Sequence, residues 1–67
     1  MANSIIKALC REVLHSFVAG KFSVRAFGKV FRMEHVFGSQ WRLTDESGND
    51  VGLRWNVNAG KLSFFMA

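Results

Sequence analysis

The sequence contains no proline, a single cysteine and no long uncharged apolar run. Cys10 has no partner within the chain, which excludes an intrachain disulfide. Because small secreted domains are normally cross-linked several times, we expect a reducing compartment, the cytoplasm. Lys7 and Arg11 interrupt the N-terminal apolar stretch, and no run approaches the roughly 18 apolar residues of a transmembrane helix. The sequence therefore predicts no membrane span and no targeting segment.

The chain is also short, and its 67 residues allow one domain, residues 1–67. A domain of this size removes only a modest fraction of its surface from water, and this one has neither a disulfide nor a metal-ligand cluster to compensate. Hydrophobic residues nevertheless make up 49% of the chain. Apolar area of this extent favours burial in an interface with a second copy, so we expect a homo-oligomer.

Catalytic groups are scarce. Cys10 and His15 lie on different faces of the predicted N-terminal helix, so they cannot act as a nucleophile and its base. His35 is predicted to project towards the core, and together with Cys10 and His15 it offers too few ligands for a closed zinc site. The glycines are spaced for turns and do not form a phosphate-binding loop. We expect no enzymatic activity, no metal, no cofactor and no small-molecule substrate.

The N-terminal segment has helical periodicity. Its apolar residues recur from Ile5 to Ala19, with Asn3 or Ser4 as the N-cap and Gly20 as the C-terminal stop. The apolar arc is wider than one sheet requires, so part of it is expected to face a second chain. A secondary basic stripe runs along the opposite side of the helix and consists of Lys7, Arg11 and His15.

After Gly20 the apolar pattern changes to period 2, and glycine-containing turns recur. Turns this short make neighbouring strands antiparallel. Strands are predicted at residues 21–27, 30–37, 40–45, 51–57 and 61–66. The fold class is therefore α+β: an N-terminal amphipathic helix packed on a five-stranded antiparallel meander sheet, which is curved or partly closed into a barrel.

The turns set the expected strand register. A turn at Gly28 and Lys29 pairs the first two strands, and the later turns pair the two tryptophans across the central hairpin. The expected pairs are Ala26 with Phe31, Val24 with Met33, Phe22 with His35, Trp41 with Trp55, Leu43 with Leu53, Val57 with Leu62 and Trp55 with Phe64. All these residues share the side of the sheet that faces the helix.

The same register defines the side of the sheet turned away from the helix. The residues expected there are Ser23, Arg25, Phe27, Val30, Arg32, Glu34, Val36, Gln40, Arg42, Thr44, Arg54, Asn56, Ser63 and Phe65. Arginines oppose each other in two expected pairs, Arg25 with Arg32 and Arg42 with Arg54. Like charges directly across a strand pair are destabilising, and a bound anion would offset that cost.

Two functions fit this surface. The net charge of +4 favours an acidic partner, and three of the five acidic residues are confined to one predicted turn, residues 45–50. The first hypothesis is a small basic module that binds the phosphate backbone of nucleic acid. Its binding residues would be Arg25, Arg32, Arg42, Arg54, Phe27, Phe65 and Asn56.

The second hypothesis is an adaptor or inhibitor that docks on an acidic or apolar surface of a partner protein, through the arginine face or the helix. A third interpretation requires no ligand: the arginine stems cover apolar sheet, the charged heads lie in water, and Glu34 bridges one pair.

Overall fold

The computed structural model describes residues 2–67, with side chains from Ser4 onward. It confirms the α+β fold, with one helix packed on a five-stranded antiparallel sheet that curls into a half-barrel. The strands lie side by side in chain order, as a meander. The elements are α1 (Ala2–Val18), β1 (Ser23–Ala26), β2 (Lys29–Phe37), β3 (Gln40–Thr44), β4 (Asp50–Asn58) and β5 (Lys61–Met66).

The C-terminal end of α1 has the predicted glycine stop. Gly20 adopts a left-handed conformation, with φ of +78°. Its N–H donates to the carbonyl of Phe17 at 3.0 Å, and the N–H of Lys21 donates to the carbonyl of Ser16 at 2.9 Å. This pair of bonds satisfies carbonyls that the helix leaves free. The predicted N-cap is wrong, because the helix begins at Ala2 and includes both candidate residues.

The core lies between α1 and the face of the sheet that curls around it, which we call the inner face. The helix packs alongside β1 and contributes Leu9 and Val13. The strands contribute Val24, Phe31, Met33, Leu43, Leu53 and Trp55, and several of these side chains are fully buried. These are the apolar alternate residues that period 2 places on one side of the sheet. The opposite side is called the outer face below.

The predicted pairing of β1 with β2 is wrong by two residues. The two-residue turn is formed by Phe27 and Gly28, both at positive φ, and Val24 therefore pairs with Phe31. In the same way Ala26 pairs with Lys29, and the N–H of Met33 donates to the carbonyl of Phe22. A shift of two preserves the face on which each side chain lies, so the predicted core survives the error.

The pairings through the centre of the sheet agree with the prediction where the strands are regular. Trp41 pairs with Trp55, Trp55 with Phe64, and Val57 with Leu62. The predicted pair of Leu43 with Leu53 falls where the register of β3 against β4 shifts, between Arg42 and Thr44. Both leucines are nevertheless buried in the core.

Two side chains lie on the predicted face of the sheet, because Thr44 pairs with Arg32 and His35 with Trp41, but differ from the prediction in burial. Thr44, expected on the exposed outer face, is buried, and its hydroxyl donates to the carbonyl of Arg32 at 3.4 Å. His35, expected in the core, is exposed; its Nε2 lies 2.8 Å from the carbonyl oxygen of Gly38. Its ring meets Trp41 edge-on, with 5.2 Å between centroids. The predicted face of His35 is therefore right, and its predicted burial is wrong.

An aromatic cluster closes the end of the half-barrel near the C-terminus of α1. Phe22 stacks on Trp41 with 5.6 Å between ring centroids, and Phe17 meets both rings edge-on. Such contacts stabilise the join between helix and sheet. Within residues 2–67, no helix has the length and apolar character needed to cross a bilayer.

Candidate binding surface

Arg42 and Arg54, called the central arginines below, lie directly opposite each other on the outer face, as predicted. Each has a carboxylate partner. Glu34 is the cross-strand neighbour of Arg42 on its other side, and Nε of Arg42 donates to Oε1 of Glu34 at 2.7 Å. The Nη2 of Arg42 contacts the same oxygen. Among the residues that the structure describes, the Glu34 carboxylate contacts the guanidinium group of Arg42 alone, so it does not bridge an arginine pair, as the third interpretation expected it to do.

The second carboxylate comes from Asp50, at the start of β4. Its Oδ2 accepts from Nη2 of Arg54 at 2.7 Å and lies 3.6 Å from Nη1 of Arg42. Its Oδ1 accepts from the N–H of Gly52 at 2.8 Å. This hydrogen bond, followed by the charges of the two arginines, lowers the pKa of Asp50 below its ordinary value. Asp50 is therefore ionised wherever the protein is folded near neutral pH.

The central arginines are consequently neutralised and poorly accessible. Only 34% of the Arg42 side chain and 22% of the Arg54 side chain are exposed. Nε of Arg54 is buried and has no hydrogen-bond partner among the residues that the structure describes. Two carboxylates contact the two guanidinium groups on this part of the outer face, so the repulsion predicted for the arginine pair is offset within the chain.

Arg25 and Arg32, called the hairpin arginines below, lie in a different environment. Their predicted pairing is wrong: Arg25 lies opposite Val30 and Arg32 opposite Ser23, because of the two-residue shift in β1 and β2. They are diagonal neighbours on the outer face, and both are exposed. Within residues 2–67, neither guanidinium group lies within 4.0 Å of a carboxylate. Both are free to bind an anion.

The hairpin arginines belong to the most basic segment of the chain. Residues 21–32, called the basic hairpin below, also include Lys21 and Lys29 and contain no acidic residue. The charge of this segment therefore equals the net charge of the whole protein. The two lysines, both exposed, were not among the predicted site residues. A count of charges along the sequence would have indicated them.

The acidic turn between β3 and β4 borders the basic hairpin. As predicted, it is a hairpin turn, held by Asp45, whose Oδ1 accepts from the N–H groups of Ser47 and Asn49 at 2.9 Å. These backbone bonds, chiefly the one from Asn49, lower the pKa of Asp45. Oε1 of Glu46 accepts from the N–H of Val30 at 3.2 Å. Glu46 thus places a negative charge at the edge of the basic surface.

Phe27 forms the tip of the basic hairpin, beyond the end of β1, where it is 58% exposed. Its φ of +54° is a conformation that bulky residues rarely adopt, and turns of this type favour asparagine and glycine. A shallow depression beside the tip is lined by Arg25, Gly28, Lys29 and Val30. The tip therefore presents an exposed aromatic ring next to a depression that two cationic residues line, at some cost in local backbone energy.

The remaining predicted site residues do not join this group. Phe65 pairs with Arg54 and is 38% exposed, in the neutralised row of the sheet. Asn56 is half-buried between Gln40 and Ser63, its neighbours on either side. The secondary basic stripe of Lys7, Arg11 and His15 is exposed along α1. The predicted site is thus divided into separate places on the surface.

The groups considered for chemistry remain apart. Cys10 packs against the core, and burial raises the pKa of its thiol above the ordinary value, which disfavours the reactive thiolate. Among the residues that the structure describes, no three His, Cys, Asp or Glu side chains are grouped so as to hold a metal ion.

No family model, no curated protein and no solved structure matches this chain.

Proposed function

We propose that the protein is a small nucleic-acid-binding module that contacts the phosphate backbone through the basic hairpin. The observation that carries this proposal is the contrast between the two arginine sets. Arg25 and Arg32 are exposed without a carboxylate partner, whereas Arg42 and Arg54 are bound to Glu34 and Asp50. Free guanidinium groups bind phosphate oxygens with paired hydrogen bonds and release counterions from the nucleic acid.

Within this proposal, Lys21 and Lys29 add positive charge along the hairpin, and Phe27 stacks on an unpaired base. Stacking on an exposed aromatic ring is tolerant of sequence, so little base preference is expected. The central arginines support the sheet and contribute less to binding than the hairpin arginines do. A reducing compartment such as the cytoplasm suits the single free cysteine.

The test is the salt dependence of binding to an unrelated single-stranded oligonucleotide, measured by fluorescence anisotropy. Changing Arg25 and Arg32 together to glutamine should make the plot of log affinity against log salt shallower by about 1.5, since each phosphate contact contributes roughly 0.7 to 0.9. The matched control changes Arg42 and Arg54 together to glutamine. It should alter the slope by less than about 0.5.

A third variant should act in the opposite direction. Glu46→Gln keeps an oxygen that can accept from the N–H of Val30 but removes the negative charge beside the hairpin. We expect tighter binding by about two- to fivefold, corresponding to roughly 0.4 to 1 kcal/mol. If the unmodified protein binds no oligonucleotide at low salt, where attraction is strongest, the proposal is wrong.

The alternative is an adaptor or inhibitor that docks on an acidic protein surface. The same exposed arginines favour it, together with exposed apolar residues on α1, Ile5, Leu14 and Val18. Retention of a partner from lysate after nuclease treatment, with its loss in the Arg25 and Arg32 double variant, would support the adaptor. Release of the bound material by nuclease would support the module.

A further inference from the structure

The last strand, β5, lies at an edge of the sheet, and within residues 2–67 it pairs with β4 alone. The other edge strand, β1, is four residues long, contains Arg25 and lies beside α1. By contrast, β5 is six residues long, pairs with β4 without a bulge, and has one charge, Lys61, at its first position. A regular apolar edge with no proline, bulge or inward charge is a template for another strand.

The phase of the hydrogen bonds shows which groups are available at this edge. Ala59 and Gly60 form a two-residue turn with positive φ at both positions, so Asn58 and Lys61 exchange hydrogen bonds, as does every second pair beyond them. The N–H of Ala67 donates to the carbonyl of Gly52 at 2.9 Å, in the same phase.

It follows that alternate residues of β5 direct their backbone groups away from β4. These residues are Leu62, Phe64 and Met66, and each offers an N–H and a C=O to the open edge. Their side chains lie on the inner face, opposite Val57, Trp55 and Leu53. Met66 is 54% exposed, so apolar surface and backbone groups are exposed together.

We infer that β5 pairs with β5 of a second copy of this chain, antiparallel and centred on Phe64. This inference does not depend on nucleic-acid binding. In that register Leu62 lies opposite Met66 and Phe64 opposite its own copy, so every outward backbone group of these residues finds a partner. Ser63 lies opposite Phe65, and Lys61 lies opposite Ala67, so no like charges meet.

This register is self-complementary, which identifies a second copy as the occupant in preference to an unrelated strand. A two-fold axis through Phe64 satisfies both copies at once and closes the assembly as a dimer. The two inner faces become continuous, and Met66 of each copy packs against Leu62 of the other. The extended sheet then has only its β1 edges free.

The first experiment compares Met66→Pro with Met66→Ala by sedimentation. Proline removes an N–H that points away from β4, so it removes a bond between copies and none within the chain. Alanine removes the same side chain but keeps the N–H. We expect the unmodified protein and Met66→Ala to dimerise, and Met66→Pro to dimerise at least about tenfold more weakly.

A monomeric unmodified protein would overturn the inference. So would equal dimerisation of the two variants, which would place the contact elsewhere, for example on the apolar arc of α1. Circular dichroism establishes that Met66→Pro is folded; if it is not, the cross-linking experiment below decides the question on strands that keep every backbone group.

Cross-linking tests the register directly. In a chain carrying Cys10→Ser, Ser63→Cys and Phe65→Cys are made separately, oxidised alone and oxidised as a mixture. Directly opposed residues have Cα atoms about 4.5 to 5.5 Å apart, within the range of a disulfide. We expect the mixed disulfide in the mixture and little cross-linking of either variant alone. Absence of the mixed disulfide, or equal cross-linking of each variant alone, would contradict the proposed register.

Discussion

The central arginines and the hairpin arginines occupy the outer face of one sheet, yet they differ in what surrounds them. Arg42 and Arg54 oppose each other directly and are bound by Glu34 and Asp50, within a half-buried row. Arg25 and Arg32 are only diagonal neighbours and have no carboxylate within 4.0 Å among residues 2–67. The arginines that oppose each other directly have carboxylate partners within the chain. The hairpin arginines, which do not oppose each other directly, are exposed.

The difference has a physical origin in the cost of placing charge. Two guanidinium groups side by side on a half-buried surface repel each other and lose hydration, so carboxylates that contact them stabilise the fold. The exposed hairpin arginines, on β1 and β2, keep their water and need no partner. Arginines that contribute to folding and arginines available for binding are therefore distinguished by their neighbours rather than by their number.

The largest expected effect on stability comes from truncating a core side chain of the sheet that carries the central and the hairpin arginines. Trp55 is fully buried beneath the sheet, and Trp55→Ala should lower the free energy of unfolding by about 3 to 5 kcal/mol. The indole N–H has no hydrogen-bond partner in the described part of the chain, which favours the lower end of that range. Phe65→Ala, on the outer face, is the control and should cost less than about half as much. Chemical denaturation measures both, and an unchanged midpoint for Trp55→Ala would show that the central register is wrong.

The next effect sharpens the comparison at the basic hairpin. Phe27→Asn places a residue that turns of this type favour at a φ of +54°, and should stabilise the fold by about 0.5 to 1 kcal/mol. The same change should weaken binding to single strands by about five- to 150-fold, the range expected from losing one stacked base. Duplex binding should change little. Higher stability in thermal denaturation together with weaker binding in fluorescence anisotropy would show that Phe27 serves binding rather than folding. A less stable Phe27→Asn variant would contradict this interpretation.

A smaller effect concerns Asp50, whose carboxylate contacts both central arginines. Asp50→Asn keeps an acceptor for the N–H of Gly52 but removes the charge that faces Arg54 and Arg42. The free energy of unfolding should fall by about 0.5 to 1 kcal/mol at neutral pH. The pKa of Asp50 is lowered in the folded protein, so its contribution is present above the unfolded pKa and is lost as pH falls through the folded value.

The acid limb of the stability curve therefore gives a second measurement of the same contribution. Below about pH 4 the unmodified protein should lose stability more steeply than Asp50→Asn. Asp45 also has a lowered pKa, because it accepts backbone bonds in its turn, so part of the acid sensitivity should remain in the variant. Parallel acid curves for the two proteins would mean that Asp50 makes no such contribution.

The smallest effect on stability is expected for the hairpin arginines, which are exposed. Changing Arg25 and Arg32 together to glutamine should shift the free energy of unfolding by less than about 0.5 kcal/mol, as for exposed positions without partners. The matched change of Arg42 and Arg54 removes their mutual repulsion but leaves Glu34 and Asp50 without their cations. It should cost about 0.5 to 1.5 kcal/mol. If the two double variants lose equal stability in thermal denaturation, the central and the hairpin arginines do not differ in their contribution to folding.

Much of the fold followed from local patterns. The helical period before Gly20, the period of two after it and the glycine turns predicted the helix and five strands, with boundaries close to those in the structure. The core also followed, because a two-residue error in the pairing of β1 and β2 leaves every side chain on its own face. Burial depends on which face a residue occupies, and the sequence period specifies that face directly.

The candidate site followed less well, because it depends on contacts between distant residues. The sequence alone determined that arginines share the outer face and that residues 21–32 contain no acid. Only the tertiary structure decided that Asp50 reaches Arg54 and Arg42: the register shifts beside Gly52, which has a φ of +87°, Asp50 pairs with Thr44, and its carboxylate contacts both arginines. Between the pair of Arg42 with Arg54 and the pair of Thr44 with Asp50, β3 advances by two residues and β4 by four, and the period of each strand is unchanged on either side of the irregularity. Charge pairing is sensitive to that shift, whereas the division into buried and exposed faces is not.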